Sequence, residues 1–115
     1  MVGYPGEAPE DVQASLDLLG RVKPTDLSVS IAYPLPGTEF FQRVSHRIKD
    51  RDDWEHTNQY PYAYHREKPD KYYRSARNLL LTRWHSLQSN SSLALRHFKS
   101  AEEDFHNIVL DLVQP

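Results

Sequence analysis

Leu27-Ser28-Val29-Ser30-Ile31-Ala32-Tyr33 is the stretch on which the fold turns. Leu27, Val29, Ile31 and Tyr33 share one side of an extended chain, and Ser28, Ser30 and Ala32 share the other. Side chains of a strand alternate with period two, so the pattern predicts a strand with two unlike faces. At the start of the chain, Met1 and Val2 run straight into the turn sequence Gly3-Tyr4-Pro5-Gly6-Glu7. Strands usually take about five residues, so Met1–Val2 reads as the end of a strand without its beginning. Residues 9–22 read as a helix. Pro9 suits a first helical position, Glu10 and Asp11 suit the positive end of the helix dipole, and Pro24 stops the run. Val12, Leu16, Leu19 and Val22 step along it at helical spacing. Strand end, turn, helix and strand in that order predict a parallel βαβ unit.

Downstream, Pro34-Leu35-Pro36-Gly37-Thr38 ends the second strand, because proline cannot donate to a sheet ladder. Thr38 is placed to cap a helix from Glu39 to about Lys49, with Phe40, Phe41, Val44 and Ile48 as its apolar side. Residues 50–69 are charged and aromatic without a period, and read as a loop. Pro69 and Asp70 open another helix to about Gln88, carrying Tyr73, Ala76, Leu80, Trp84 and Leu87 in line. Ser89-Asn90-Ser91-Ser92 reads as a turn and cap. A last helix to about Val113 carries Ala94, Phe98, Ala101, Phe105, Ile108 and Leu112 by fours and threes. That sustained seam predicts an antiparallel hairpin with the preceding helix. The expected organisation is 1–49 as the end of an α/β unit (βαβα), 50–69 as a loop, and 70–115 as a helical extension.

The 115 residues are polar, with a mean hydropathy of −0.74 and 38% hydrophobic residues, which is low for a self-sufficient core. The net charge of −2 gives no reason to expect a nucleic-acid or membrane surface. No apolar run approaches a membrane span and no signal peptide is visible, so the expected compartment is the cytoplasm. The absence of cysteine excludes disulfides, thiolate zinc sites and any cysteine-held iron–sulfur cluster within the chain.

Two turns carry the strongest chemical signal. A glycine-rich turn between a strand and a helix directs backbone N–H groups at a helix N-terminus, where anions or polar cofactor edges can bind. A βα turn needs glycine for its geometry as well, so Gly3–Glu7 alone says little. With Pro34–Thr38 it forms a pair at the carboxyl ends of neighbouring parallel strands, the edge at which α/β folds bind ligands. Other constellations are weaker. Glu103 and His106 form one Glu-x-x-His pair, where a di-iron bundle needs two and further carboxylates. His85, His97 and His106 share no metal-binding spacing. Tyr60, Tyr62, Tyr64 and His65 could line the mouth of a site for a flat macrocycle or lipid, or simply pack in a surface loop. Asp52, Asp53 and Glu55 read as solvated, and Tyr72, Tyr73 and Trp84 as core. No nucleophile–base pair marks a hydrolase.

Gly-Tyr-Pro-Gly-Glu, a helix, and then Val-Ser-Ile-Ala-Tyr-Pro-Leu-Pro-Gly-Thr-Glu-Phe-Phe resemble the C-terminal half of a radical S-adenosylmethionine (SAM) enzyme barrel. The match is closest to the branch with an N-terminal cobalamin-binding domain. Within it the chain is similar to the anaerobic magnesium-protoporphyrin IX monomethyl ester oxidative cyclase group, whose acidic Trp loop and Tyr-Tyr-Arg helix resemble Asp52-Asp53-Trp54 and Tyr72-Tyr73-Arg74. The resemblance is specific over residues 1–45, looser over 50–88 and absent beyond 90. It implies a piece of a partial (β/α)6 barrel, with Met1–Val2 ending the fifth strand and Leu27–Tyr33 as the sixth. It implies that Gly3, Tyr4, Pro5, Gly6 and Glu7 flank the adenine of SAM, and that Ala32, Tyr33 and Pro34 line that pocket through their backbone. In the family a 4Fe-4S cluster cleaves SAM to a 5′-deoxyadenosyl radical, which takes a hydrogen from the substrate for oxidative cyclisation or methylation. The resemblance leaves open whether the parent also binds cobalamin.

The departures bear directly on this chain. The family's Cys-x3-Cys-x2-Cys loop is absent, with every other cysteine. The expectation is therefore a chain that holds no cofactor alone and is inactive alone. Its partner would be the missing N-terminal half of the barrel, in the same parent chain or as a split subunit; a truncated reading frame and a gene fragment fit equally. The alternative is a non-enzymatic helical interaction module that pairs through the seam at 94–112.

Overall fold

The computed structural model describes residues 1–35, 37–47 and 66–113. They form four helices and one 3₁₀ turn: α1 (Pro9–Val22), α2 (Glu39–Val44) running into Ser45–Arg47, α3 (Asp70–Ser89) and α4 (Ser92–Val113). The expectation of an α/β fold with a βαβα unit is overturned. Among the described residues the only β pairing is a single isolated parallel bridge between Val2 and Ile31.

The two extended segments do meet in parallel, but the ladder stops after one rung. Val2 N–H donates to Ser30 O at 2.9 Å and Ala32 N–H donates to Val2 O at 2.7 Å. The next rung would need Tyr4 N–H on Ala32 O. Gly3 turns the chain away first, at φ 93°, and Arg66 Nη2 takes Ala32 O at 3.0 Å. On the opposite edge, Arg77 Nε donates to Val29 O at 2.8 Å, where a further strand would lie. Prolines 5 and 34 shorten both segments further. Two arginines thus take carbonyls that a sheet would use, and the fold is helical.

The alternation in 27–33 still sorts side chains, with a break. Val29 is buried and Leu27 and Ile31 pack at the margin of the main core. Tyr33, on the same expected face, is exposed, while Ala32 and Pro34 are buried. Ala32 packs in a separate small cluster with Phe40 and Val44 of α2.

Local chemistry explains the helix ends. Asp11 Oδ2 accepts from Ala8 N–H at 2.8 Å, closing the start of α1 behind Pro9. Lys23 ends α1 in the left-handed conformation, its N–H returning to Leu19 O at 2.9 Å. Thr38 Oγ1 accepts from Phe41 N–H at 3.1 Å and caps α2. Left-handed Asn90 ends α3, and Ser91 Oγ caps α4 by accepting from Ala94 N–H at 3.0 Å.

Helix α3 is the axis of the fold. Its Tyr72, Tyr73, Ala76, Leu79 and Leu80 are buried, between Val12, Leu16 and Leu19 of α1 on one side and Ala101 and Phe105 of α4 on the other. The α3–α4 hairpin is the most extensive helix contact, and the Tyr72 and Phe105 rings sit 5.3 Å apart within it. Val22, expected on the α1 stripe, is exposed. Trp84 Nε1 and Gln88 Nε2 both donate to Pro24 O, at 3.0 and 2.6 Å, tying the end of α1 to α3. Charge follows the same layering. Helix α3 carries Lys71, Arg74, Arg77 and Arg83 against Asp70 alone, whereas α1 and α4 each carry more acids than bases.

Candidate functional site

The Val2–Ile31 bridge brings the two turn regions side by side, so the segments expected to flank a ligand are neighbours. Positive-φ glycines, Gly3 at 93° and Gly6 at 87°, shape the first turn, and Glu7 N–H donates to Tyr4 O at 3.0 Å across it. Such a turn presents N–H groups toward negative charge. Here the chain's own carboxylates occupy them. Gly3 N–H donates to Glu7 Oε2 at 3.1 Å, and Gly6 N–H donates to Glu67 Oε1 at 3.3 Å in an exposed contact. Lys68 Nζ donates to Glu7 O at 2.9 Å.

The expected site residues divide by accessibility. Tyr4 and Tyr33 are exposed at 42% and 47%, and Gly6 is exposed beside them. Pro5 and Glu7 are half-buried, while Gly3, Ala32 and Pro34 are buried. The Tyr4 ring meets Phe40 edge-on at 5.0 Å, and the Arg43 guanidinium stands 5.9 Å from its centroid. Both backbone polar groups of Ala32 are engaged, its N–H by Val2 and its carbonyl by Arg66. The accessible part of the edge is therefore Tyr4, Gly6 and Tyr33 with Arg43, rather than the Ala32 backbone.

Arg66, Glu67 and Lys68, just ahead of α3, complete this edge, and sequence reading assigned them to a featureless loop. No spacing marks them; the docking of α3, whose Tyr73 ring lies against Gly3, brings them across some sixty positions of chain. Beneath them lies Tyr72, fully buried, whose hydroxyl has no hydrogen-bond partner among the described residues; Glu7 Oε1 is likewise buried and unpartnered. Burial, and then the negative charges of Glu7, Tyr73, Glu10 and Asp11, push the Tyr72 hydroxyl up to about 12.

Neither metal nor cluster chemistry finds a donor set here. Among the described residues no three His, Cys, Asp or Glu side chains converge. With no cysteine in the sequence, the residues do not fit a 4Fe-4S cluster. Glu103 and His106 instead face a groove between α1 and α4. His85 is exposed and meets the Trp84 ring edge-on at 4.9 Å, and His97 is exposed on α4. The Asp52–Glu55 and Tyr60–His65 candidates lie outside the described residues. No described helix is long and apolar enough to cross a membrane. No family model, characterised protein or solved structure matches the chain.

Proposed function

We propose that this chain is the C-terminal part of a radical SAM enzyme and supplies a binding edge to it, without the cluster. The observation that carries this reading is the juxtaposition of the Gly3–Glu7 turn with Ala32–Pro34 through the Val2–Ile31 bridge. These are the segments through which the resemblance assigns contact with SAM. The role open to the chain's own residues is to bind and orient. Tyr4 and Tyr33 offer exposed rings to a flat group. Gly6 N–H, held only by the long exposed contact from Glu67, can exchange that carboxylate for a ligand acceptor. The parent's chemistry, oxidative cyclisation or methylation, would belong to residues outside this chain, and the chain alone is inactive.

Reading the DNA upstream of Met1 tests the proposal. An in-frame Cys-x3-Cys-x2-Cys supports it, and an upstream region without one sinks it at this locus. Titrating the isotopically labelled chain with 5′-deoxyadenosine adds a direct check. Amide shifts confined to Gly3–Glu7 and Tyr33 are expected, and shifts spread over the helices would argue against the edge.

A second reading, a non-enzymatic interaction module, draws on the exposed Leu93, Leu95, Leu110 and Leu112 of α4. The seam itself is largely engaged within the hairpin: Ala101 and Phe105 are buried, and Phe98 and Ile108 pack against the same core. Light scattering across a concentration series tests it: association supports this reading, and a strict monomer removes self-pairing from it.

A further inference from the structure

Helices α1 and α4 both pack on α3, yet make no comparable contact with each other. Between them lies a groove of about 580 Å³, separate from the two-turn edge. Its floor is apolar: Leu16 of α1, Leu79 of α3 and Phe105 of α4. Its rim is mostly acidic, with Glu10 on the α1 side and Glu102 and Glu103 on the α4 side, against Lys99 as the fixed cation. Both helices pack on α3 through apolar side chains, Leu16 of α1 and Phe105 of α4 among them, and leave their charged positions at the groove edge.

We infer that this groove receives a basic amphipathic helix from a partner chain. Along α4 it runs from Lys99 to Val109, about 15 Å at a rise of 1.5 Å per residue, which matches roughly three turns of an incoming helix. Such a helix would set apolar residues at i, i+3 or i+4, and i+7 onto Leu16, Leu79, Phe105 and Val109. Its lysines or arginines would meet Glu10, Glu102 and Glu103. A second copy of this chain does not supply that face through α3: its Lys71, Arg74 and Arg77 are exposed, but the apolar residues such a helix would need are buried against its own α1 and α4. A bound metal ion does not suit the rim either, since no three ligating side chains converge there.

The test uses the full chain, isotopically labelled, and two designed helical peptides with identical leucine positions, one with lysine at every polar position and one with glutamate. The lysine peptide is expected to bind at least tenfold more tightly and to shift amides within Glu10–Leu16 and Lys99–Val109. Glu102→Gln with Glu103→Gln should weaken it about five- to tenfold, as expected for losing two exposed charge pairs. Gln13→Trp, at an exposed position on the groove wall, should block it without unfolding the chain. Equal affinity for the two peptides, shifts that map elsewhere, or binding indifferent to both sets of substitutions would overturn the assignment.

Discussion

Replacing Tyr72 by Phe is expected to stabilise this protein. The side chain is fully buried beneath the first turn, and its hydroxyl has no hydrogen-bond partner among the described residues. A buried polar group without a partner costs about 1–3 kcal/mol, and phenylalanine keeps the ring contacts to Tyr73 and Phe105. Taking the lower end, Tyr72→Phe should add about 1 kcal/mol at neutral pH, or about 4 °C in Tm for a chain of this size. The pH dependence sharpens the expectation. The Tyr72 hydroxyl is raised from 10.0 to about 12. Between those values the unfolded chain has lost this proton while the native chain keeps it. The unfolded state then binds fewer protons, so wild-type stability falls as pH rises through that window and is unaffected by Tyr72 below it. The loss reaches about 2 kcal/mol by pH 12. The variant has no such group, so its advantage should widen from about 1 to about 3 kcal/mol across the window. Urea unfolding followed by circular dichroism, at pH 7 and in steps from pH 10 to 12, measures the difference between the two proteins and cancels the titration of other groups. A variant less stable than wild type at neutral pH would show that the hydroxyl is usefully bonded. Parallel stability profiles above pH 10 would show that its ionisation is not suppressed by folding.

Three further expectations concern the elements that replace a sheet. Gly3→Ala should cost about 2–3 kcal/mol, since a Cβ there adds a 3.1 Å approach to the Tyr73 ring to the strain of φ 93°. Gly6→Ala, at φ 87° with nothing within 4 Å, should cost about 1 kcal/mol, and thermal melts that rank the two the other way would contradict the packing. Phe105→Ala should cost about 3–5 kcal/mol by opening a cavity against Tyr72; a loss below about 1 kcal/mol in urea unfolding would mean that the hairpin is not the core it is taken to be. Arg77→Met keeps the aliphatic stem and removes the donor to Val29 O, so chemical denaturation should report a loss of about 1 kcal/mol. An unchanged midpoint would count against the sealing of that edge.

The candidate site was partly legible. Gly3 and Gly6 marked a turn that needs glycine for its geometry, and both take positive φ there, their N–H groups donating to Glu7 and Glu67. What no spacing revealed is that Glu7 and Glu67 would fill those groups, or that Arg66 would take the Ala32 carbonyl. The Glu7 contact closes within the turn itself, but those of Glu67 and Arg66 depend on where α3 docks, and docking is a property of surfaces rather than of local pattern. The unpartnered Tyr72 hydroxyl was equally invisible, because tyrosine at helical spacing reads as core whether or not its oxygen finds a partner.

Helices were local decisions. Pro9 with Glu10 and Asp11, the Thr38 cap, and the seam from Ala94 to Leu112 each specify a helix through nearby backbone chemistry and a 3.6-residue period, so α1 and α4 lie where the sequence puts them, while α2 starts at its cap but stops at Val44 and tightens into a 3₁₀ turn to Arg47, short of the expected Lys49. The strand reading failed for the opposite reason. Alternation over Leu27–Tyr33 states which side chains can be buried together, but a strand exists only if another backbone satisfies its N–H and carbonyl groups along its length. Met1–Gly3 is long enough for one rung; the arginine before α3 takes the Ala32 carbonyl that the next rung would need, and the one from α3 takes Val29 O on the edge where a further strand would lie. Helix identity was therefore written in the sequence, whereas the choice between a sheet and one isolated bridge was made by the tertiary structure, where side chains 34 and 48 positions along the chain reached those carbonyls.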